Sequence, residues 1–389
     1  MRIAGIVAEY NPFHNGHKYM IEQTRKQGAT HIVAVMSGAV VQRGDVAVFD
    51  KHFRAETAVK NGVDLVVELP VPYSCSSGEI FGKSAVQILA GLGDNVVNSL
   101  AFGCESDDIE LLKKAAKALS NLKDNPLVKQ KLSEGLSYPS AVCETVKQIY
   151  GEAVGEILRS PNNTLAVEYI KSAGKFLPDA DFIPVKRKSV AHDSNEISEG
   201  FASASAVRQL LDKEQSVSNL CPYSTKLVPV HSLKNMEREI LFRLSCMDKE
   251  ALAELPDCSE DIADRIMMAV SDCPKTVEQF LDKCKSKNIT MARLRRIMMY
   301  AVLGVKKSDL VSPPFVRVLA FNNKGAEILA KCKASTIPVD TSLKALESTS
   351  EQAKRIIRLE NRAVSFQQTC VTGSYQPVNE YRRKIEITK

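Results

Sequence analysis

The first twenty residues, MRIAGIVAEYNPFHNGHKYM, constrain the fold more than any other stretch of the chain. Ile3, Ala4, Ile6, Val7 and Ala8 form a short apolar run rich in β-branched residues, the pattern of a strand buried on both faces of a parallel sheet. Asn11-Pro12 ends that strand, because Pro12 has no ladder donor and biases Asn11 toward extended geometry. His14, Gly16 and His17 follow where a helix running to about Gln27 begins. Free backbone N–H groups and the positive end of the helix dipole point into the turn, so the segment predicts an anion site. The imidazoles add donors, and the bare Cα of Gly16 is expected to let a nucleotide lie against the backbone. Two plainer readings compete: the histidines cap the helix, or they hold a metal as an i, i+3 pair. No nearby Cys or third His completes a metal set.

Beyond this opening, strands and helices alternate. Residues 30–37 (THIVAVMS) read as a second buried strand, followed by a polar loop over 38–45 with Gln42, Arg43 and Gly44. A helix over 50–61 places Lys51 and Arg54 toward that loop, and residues 64–69 form a third strand. Ser76 or Ser77 caps the next helix. Residues 95–102 make a fourth strand ending at Gly103, and 181–185 a last one. This alternation predicts a doubly wound parallel sheet with its ligand beyond the carboxyl ends of the strands, where His14, Gly38 and Gly103 fall.

A helical insertion spans residues 125–174, and Asn162 within it sits near a helix N-terminus, where it meets an anion or ribose or acts as a simple cap. Lys186, Arg187 and Lys188 cluster after the last strand, and His192-Asp193 follow in a loop. Ser203, Ser205 and Arg208 form a second constellation, a hydroxyl-rich cap with an arginine one turn in. Such a turn presents N–H groups, hydroxyls and a guanidinium to one phosphate, although it also reads as an ordinary capped helix.

His-x-Gly-His between a first strand and its helix resembles the signature of the nucleotidyltransferase superfamily that includes class I aminoacyl-tRNA synthetases. The longer string AEYNPFHNGH resembles the bacterial family of tRNA(Met) cytidine acetate ligases. That resemblance implies a Rossmann-like α/β fold of the HxGH nucleotidyltransferase type, with a C-terminal α-helical domain that binds tRNA. It implies an ATP-dependent ligase that activates acetate as acetyl-adenylate and acetylates N4 of the wobble cytidine of elongator tRNA(Met), with Mg²⁺ as companion of ATP and no DNA or membrane partner. It assigns His14, His17 and Arg208 to catalysis. Nucleotide contacts carry over to Val7, Ala8, Glu9, Tyr10, Asn11, Pro12, Phe13, His14, Asn15, Gly16, His17, Lys18, Tyr19 and Met20, and to Gly103, Asn162, Arg187 and Ser205. Glu9, Asp45 and Asp50 are the nearby acidic candidates for Mg²⁺, although each also suits a structural role. Two other readings remain: a small-molecule adenylyltransferase, and an RNA-binding protein that has lost catalysis.

Composition bounds the rest. The chain of 389 residues exceeds the size at which one core usually stops growing. Two domains are therefore expected, residues 1–215 and a mainly helical, basic 225–389. Within the latter, residues 290–389 carry 18 Lys and Arg against 8 Asp and Glu, whereas residues 1–289 carry 34 against 38. A surplus confined to the last quarter suggests a polyanionic partner there, or a solvated basic face. Arg293, Arg295 and Arg296 crowd the start of a helix over 291–303, where positive charge is disfavoured unless an anion compensates it. No apolar run approaches the roughly 20 residues of a membrane span, and Glu9 interrupts any signal-peptide pattern. Ten cysteines without a C-x-x-C pair argue against zinc and suit reduced thiols, so a cytoplasmic protein is expected.

Overall fold

The computed structural model describes residues 1–122, 124–187, 200–226, 228–372 and 379–388; Lys188 and the His192-Asp193 pair lie outside them. Its centre is one sheet. β1 (Ile3–Ala8), β2 (His31–Ser37), β3 (Leu65–Leu69), β4 (Ser99–Cys104) and β5 (Asp181–Lys186) pair in parallel in the order β3-β2-β1-β4-β5. β4 begins four residues later than the pattern predicts. Gly93 and Asn95 both carry positive φ, so a turn occupies the start of that apolar run.

Every residue of β2 is buried. The period-2 alternation of side chains explains why: Val33 and Val35 enter one core, and Ile32, Ala34 and Met36 enter the other on the opposite face. Each of the Val, Ile and Met side chains contributes about 1.5–3 kcal/mol on burial. The order also creates a switch point, since the chain runs outward from β1 through β2 and β3 and then returns to β4 on the other side of β1. Connections above and below the sheet diverge there, leaving a crevice beyond the ends of β1 and β4.

The stretch after residue 225 contributes more than helices. β6 (Val316–Asn322) pairs antiparallel with β3, and β7 (Val339–Asp340) and β8 (Glu386–Thr388) pair with β6. The strand-like run FVRVLAF thus extends the sheet of the first region. Helices Glu237–Ser245, Lys249–Ala253, Glu260–Ser271 and Val277–Cys284 pack together in the intervening segment.

A buried ion cluster ties the C-terminal segments to the sheet. Lys51, at the start of α2 (after α1, Asn15–Lys26; α2, Lys51–Lys60), lies 2.6 Å from Glu68, 3.0 Å from Glu360 and 3.1 Å from Glu380, and Arg317 of β6 lies 2.7 Å from Glu380. Lys51 does not face the polar loop as its helix position suggested. Three carboxylates draw it inward instead, and their fields hold its ammonium charged despite burial. Glu360 also accepts N–H bonds from Ala39 and Val71, so it fixes the backbone leaving β2 and β3.

Two of the three arginines at the start of the helix Met291–Leu303 have internal partners. Arg293 donates to the Asp257 carbonyl at 2.7 and 3.0 Å, and the buried Arg296 pairs with the Asp257 carboxylate at 3.6 Å. Their clustering therefore needs no external anion. Arg317, Arg355 and Arg362 are likewise engaged, with Glu68 and Glu380, with Asp309, and with the Leu303 carbonyl. Much of the basic surplus is structural.

Candidate active site

The site grows from the cap of α1. His14 is the N-cap residue in extended conformation, and its Nδ1 accepts the Gly16 N–H at 3.0 Å. One turn on, His17 Nδ1 accepts the His14 N–H at 3.2 Å, closing a reciprocal capping box built from two histidines. The capping reading of the sequence is therefore correct as far as it goes, and it has a chemical consequence. A nitrogen that accepts an N–H carries no proton, so each neutral imidazole must be protonated on Nε2. The rings stack at 3.8 Å, and Tyr10 and Phe13 pack on His17 at 5.0 and 5.6 Å.

Electrostatics keep both rings neutral. Burial, with Arg187 and Arg208 nearby, lowers the His14 pKa from 6.5 to about 3. Burial, His14 and Arg187 push His17 well below its usual value. The site thus holds two fixed Nε2–H donors without placing cations in the helix cap.

Gly16 gives this box its room. A Cβ there would lie 2.8 Å from His14 Cε1 and 2.9 Å from Nδ1, so its missing side chain makes room for the His14 ring that folds back over it.

A cavity of about 520 Å³ opens at the switch point, a volume within the usual range for small-molecule ligands. Val7, Ala8, Glu9, Tyr10, His14, His17 and Met20 line it from the first strand and helix, with Gly103 at the end of β4 and Asn162 at the start of a helix over Pro161–Phe176. Arg187, Ser205 and Arg208 complete the far side. A smaller adjoining recess is lined by Gly16 and Tyr19. Asn11, Pro12, Phe13, Asn15 and Lys18 line neither space. Asn15 instead donates to the Gly200 and Asn219 carbonyls at 2.8 and 2.9 Å, Phe13 is buried under His17, and Lys18 is exposed. Asn11 is a strut: its side chain accepts the Val48 N–H at 2.8 Å, and its carbonyl accepts from Arg208 Nη1 at 2.7 Å.

Ser203 caps the helix Ala204–Asp212 by accepting the Ala206 N–H. That leaves Ser205 to accept from Arg208 Nη2 at 3.1 Å. The guanidinium is thus aimed by one carbonyl and one hydroxyl, which is the preorganisation an anion site requires.

Several supports were not legible in the sequence. Arg54 is buried, and its guanidinium donates to the carbonyls of Glu9, Ser37, Gly38 and Phe49, tying together the ends of β1 and β2. Glu105 accepts from Asn162 Nδ2 at 2.5 Å and from the Asn163 N–H at 3.0 Å, which sets the rim around Asn162 and Arg187. Their signal was only proximity to Gly103 and to the loop, which a single sequence does not rank.

No group of three or more His, Cys, Asp or Glu converges as a metal cage among the described residues. Asp50 caps α2 through the His52 and Phe53 N–H groups, and Glu9 accepts the Gln42 N–H at 2.9 Å. Those acidic candidates have structural work.

An open doubly wound sheet, a His-x-Gly-His cap at its switch point and an arginine clamp from a late helix together define a nucleotidyltransferase. The family model described as HIGH Nucleotidyl Transferase matches residues 1–382. Among curated proteins, the tRNA(Met) cytidine acetate ligase of Clostridium kluyveri is 36% identical over 371 residues, covering 88% of this chain and 90% of that one. The protein of the same name from Caldicellulosiruptor saccharolyticus is 36% identical over 380 residues, covering 93% and 92%. The apo crystal structure of Thermotoga maritima TmcAL superposes with a TM-score of 0.91 at 29% identity, over 100% of this chain and 99% of that one. The TmcAL structure bound with alpha-thio ATP gives 0.89 at 28%, over 100% and 99%. The chain belongs to the tRNA(Met) cytidine acetate ligase family and is an enzyme of that family.

Proposed function

We propose that this enzyme couples ATP cleavage to acetylation of a cytidine amine in tRNA. Acetate oxygen attacks the α-phosphorus of ATP in line, the bond to pyrophosphate breaks, and acetyl-adenylate forms. The N4 amine of the wobble cytidine of elongator tRNA(Met) then attacks the acetyl carbon and AMP departs. The observation that carries this reading is the histidine capping box. Both Nδ1 atoms are occupied by backbone N–H groups, so two neutral Nε2–H donors face the same cavity as Arg187 and Arg208.

Such donors suit phosphate oxygens whose charge rises as pyrophosphate leaves, and their fixed aim means little reorganisation accompanies the step. Gly103 and Asn162 suit the nucleoside end. The names of the curated relatives and the alpha-thio ATP complex of the Thermotoga protein support both substrates. Among the described residues no magnesium cage forms, so Mg²⁺ enters the proposal only as the ion that triphosphate brings. The helical region after residue 225 is proposed to bind the RNA, in the cytoplasm, where charged tRNA is used. No helix among the described residues is long and apolar enough to cross a membrane.

The test is pyrophosphate release from ATP by purified protein with acetate alone, with acetate plus tRNA, and with His17→Ala under both conditions. Acetate-dependent release, lost in the variant and accompanied by acetyl transfer to tRNA, is expected. Release without an acetate requirement would replace this reading with AMP transfer to a small molecule.

A further inference from the structure

A second cavity, of about 400 Å³, lies behind the first. Ser205 and Arg208 line both, so the two spaces adjoin at the clamp arginine. The far side of the second cavity is built by the helical region, through Lys234, Glu278 and Arg295, and its near side by Asp45 from the loop after β2. Neither Asp45 nor Arg295 reaches the first cavity.

The Asp45 loop is held against the helical region at close quarters. Gly44 adopts φ +75°, and a Cβ there would come within 2.5 Å of the backbone of Arg295 and Arg296. Only glycine fits, so the loop rests directly on the first turn of the helix Met291–Leu303. Asp45 Oδ1 accepts the Val46 N–H at 2.8 Å, and Oδ2 makes no hydrogen bond among the described residues. The carboxylate faces Arg208 and Arg295, and burial raises its pKa against the pull of both.

The lining is mixed in charge. Asp45, Asp212, Glu237 and Glu278 oppose Arg208, Lys234 and Arg295. A free anion such as a second phosphate would meet as much repulsion as attraction. A neutral, planar, polar ligand with an amine to donate meets acceptors on several sides, and the volume suits a nucleoside.

We infer that this second cavity receives the amine-bearing base of the acyl acceptor, and that Asp45 takes the proton its amine loses. This rests on the acyl-transfer reading above. The amine nitrogen forms a bond to the acyl carbon, the bond from that carbon to the adenylate oxygen breaks, and its electron pair leaves with AMP. The amine proton passes to Asp45 Oδ2 and from there to water. Arg208, where the cavities adjoin, stabilises the departing phosphate while the base approaches from the second cavity. Asp45 lines only the second cavity, so it is assigned to the second half-reaction and not to activation.

The test separates the two halves with intact enzyme. Acetate-dependent ATP–pyrophosphate exchange without tRNA reports activation, and acetyl transfer to tRNA reports the second step. For Asp45→Asn, exchange within about threefold of the parent and transfer reduced about 10²-fold or more is expected, the size typical of losing a general base. Gln209→Trp, at an exposed helix position that lines only the second cavity, narrows it without touching the first and is expected to reduce transfer selectively. Loss of exchange in Asp45→Asn would overturn the inference by placing Asp45 in activation. Unchanged transfer in both variants would overturn it by removing any role for the cavity. Failure of the parent enzyme to exchange at all would instead count against the activation chemistry, so the two failures are distinguishable.

Discussion

Gly16→Ala should disable the enzyme while barely unfolding it, and the structure sets both magnitudes. The new Cβ would sit 2.8 Å from His14 Cε1 and 2.9 Å from Nδ1, closer than nonbonded atoms tolerate. The ring cannot yield freely, because it is 6% exposed and stacks on His17 at 3.8 Å. Moving it by about 1 Å breaks the Nδ1 cap and shifts its Nε2–H. Loss of one N-cap costs about 1 kcal/mol, or about 1 °C in Tm for a chain of this size. Misplacement of a preorganised group by about 1 Å costs about 10²-fold in rate, equivalent to about 2.7 kcal/mol of barrier. The assay is acetate-dependent ATP–pyrophosphate exchange with thermal melting alongside. Gly174→Ala is the control, since a Cβ there would meet no atom within 4 Å and an alanine should stabilise the helix by up to about 1 kcal/mol. A Gly16→Ala enzyme with near-parental exchange would refute the reasoning, because the box would then tolerate a displaced ring.

Other outcomes follow from the same contacts. Replacing Lys51 by Met leaves Glu68, Glu360 and Glu380 facing one another with Arg317 as the remaining full cation; urea unfolding should show a loss of about 3–5 kcal/mol, and a loss under about 1 kcal/mol would contradict the cluster's role. Glu105→Gln should raise the ATP KM several-fold with little change in kcat, because it loosens Asn162 and leaves the histidine box intact; a kcat defect without a KM change would argue otherwise. The His14 pKa is lowered in the folded state to about 3 from 6.5, so unfolded chains bind the extra proton between those values. Stability from the neutral ring is complete above about pH 6.5 and is lost as pH falls toward 3, at up to about 1.4 kcal/mol per pH unit. Denaturation from pH 7 to 5 should therefore narrow the gap between the parent and His14→Asn, which keeps a capping residue but cannot titrate; a constant gap would contradict the neutral-imidazole assignment.

What the sequence made legible was the periodic and the local. The five parallel strands followed from continuous apolar runs, the helix starts from Asp50, Ser77 and Ser203, and the doubly wound architecture from the alternation of elements; the strand order, and with it the switch point, did not. The cavity gathers His14, His17, Gly103, Asn162, Arg187, Ser205 and Arg208 from segments far apart in the chain. Less legible was the use to which each polar side chain is put. Lys51 and Arg54 sit three residues apart at the start of one helix, yet one is neutralised by carboxylates from three distant segments and the other is hydrogen-bonded to four carbonyls. Arg293, Arg295 and Arg296 look alike in a charge count, but the Asp257 turn engages the first and third, and Arg295 alone lines the second cavity. Such choices depend on long-range partners that periodicity does not encode.

On the proposed mechanism, the histidine box and its arginines activate a carboxylate on ATP before any RNA is bound. Isotope exchange between pyrophosphate and ATP, measured with and without acetate and in the absence of tRNA, addresses it most directly. Exchange that requires acetate and falls about 10²-fold or more in His17→Ala is expected. Exchange that proceeds equally without acetate, or that appears only when tRNA is added, would contradict it.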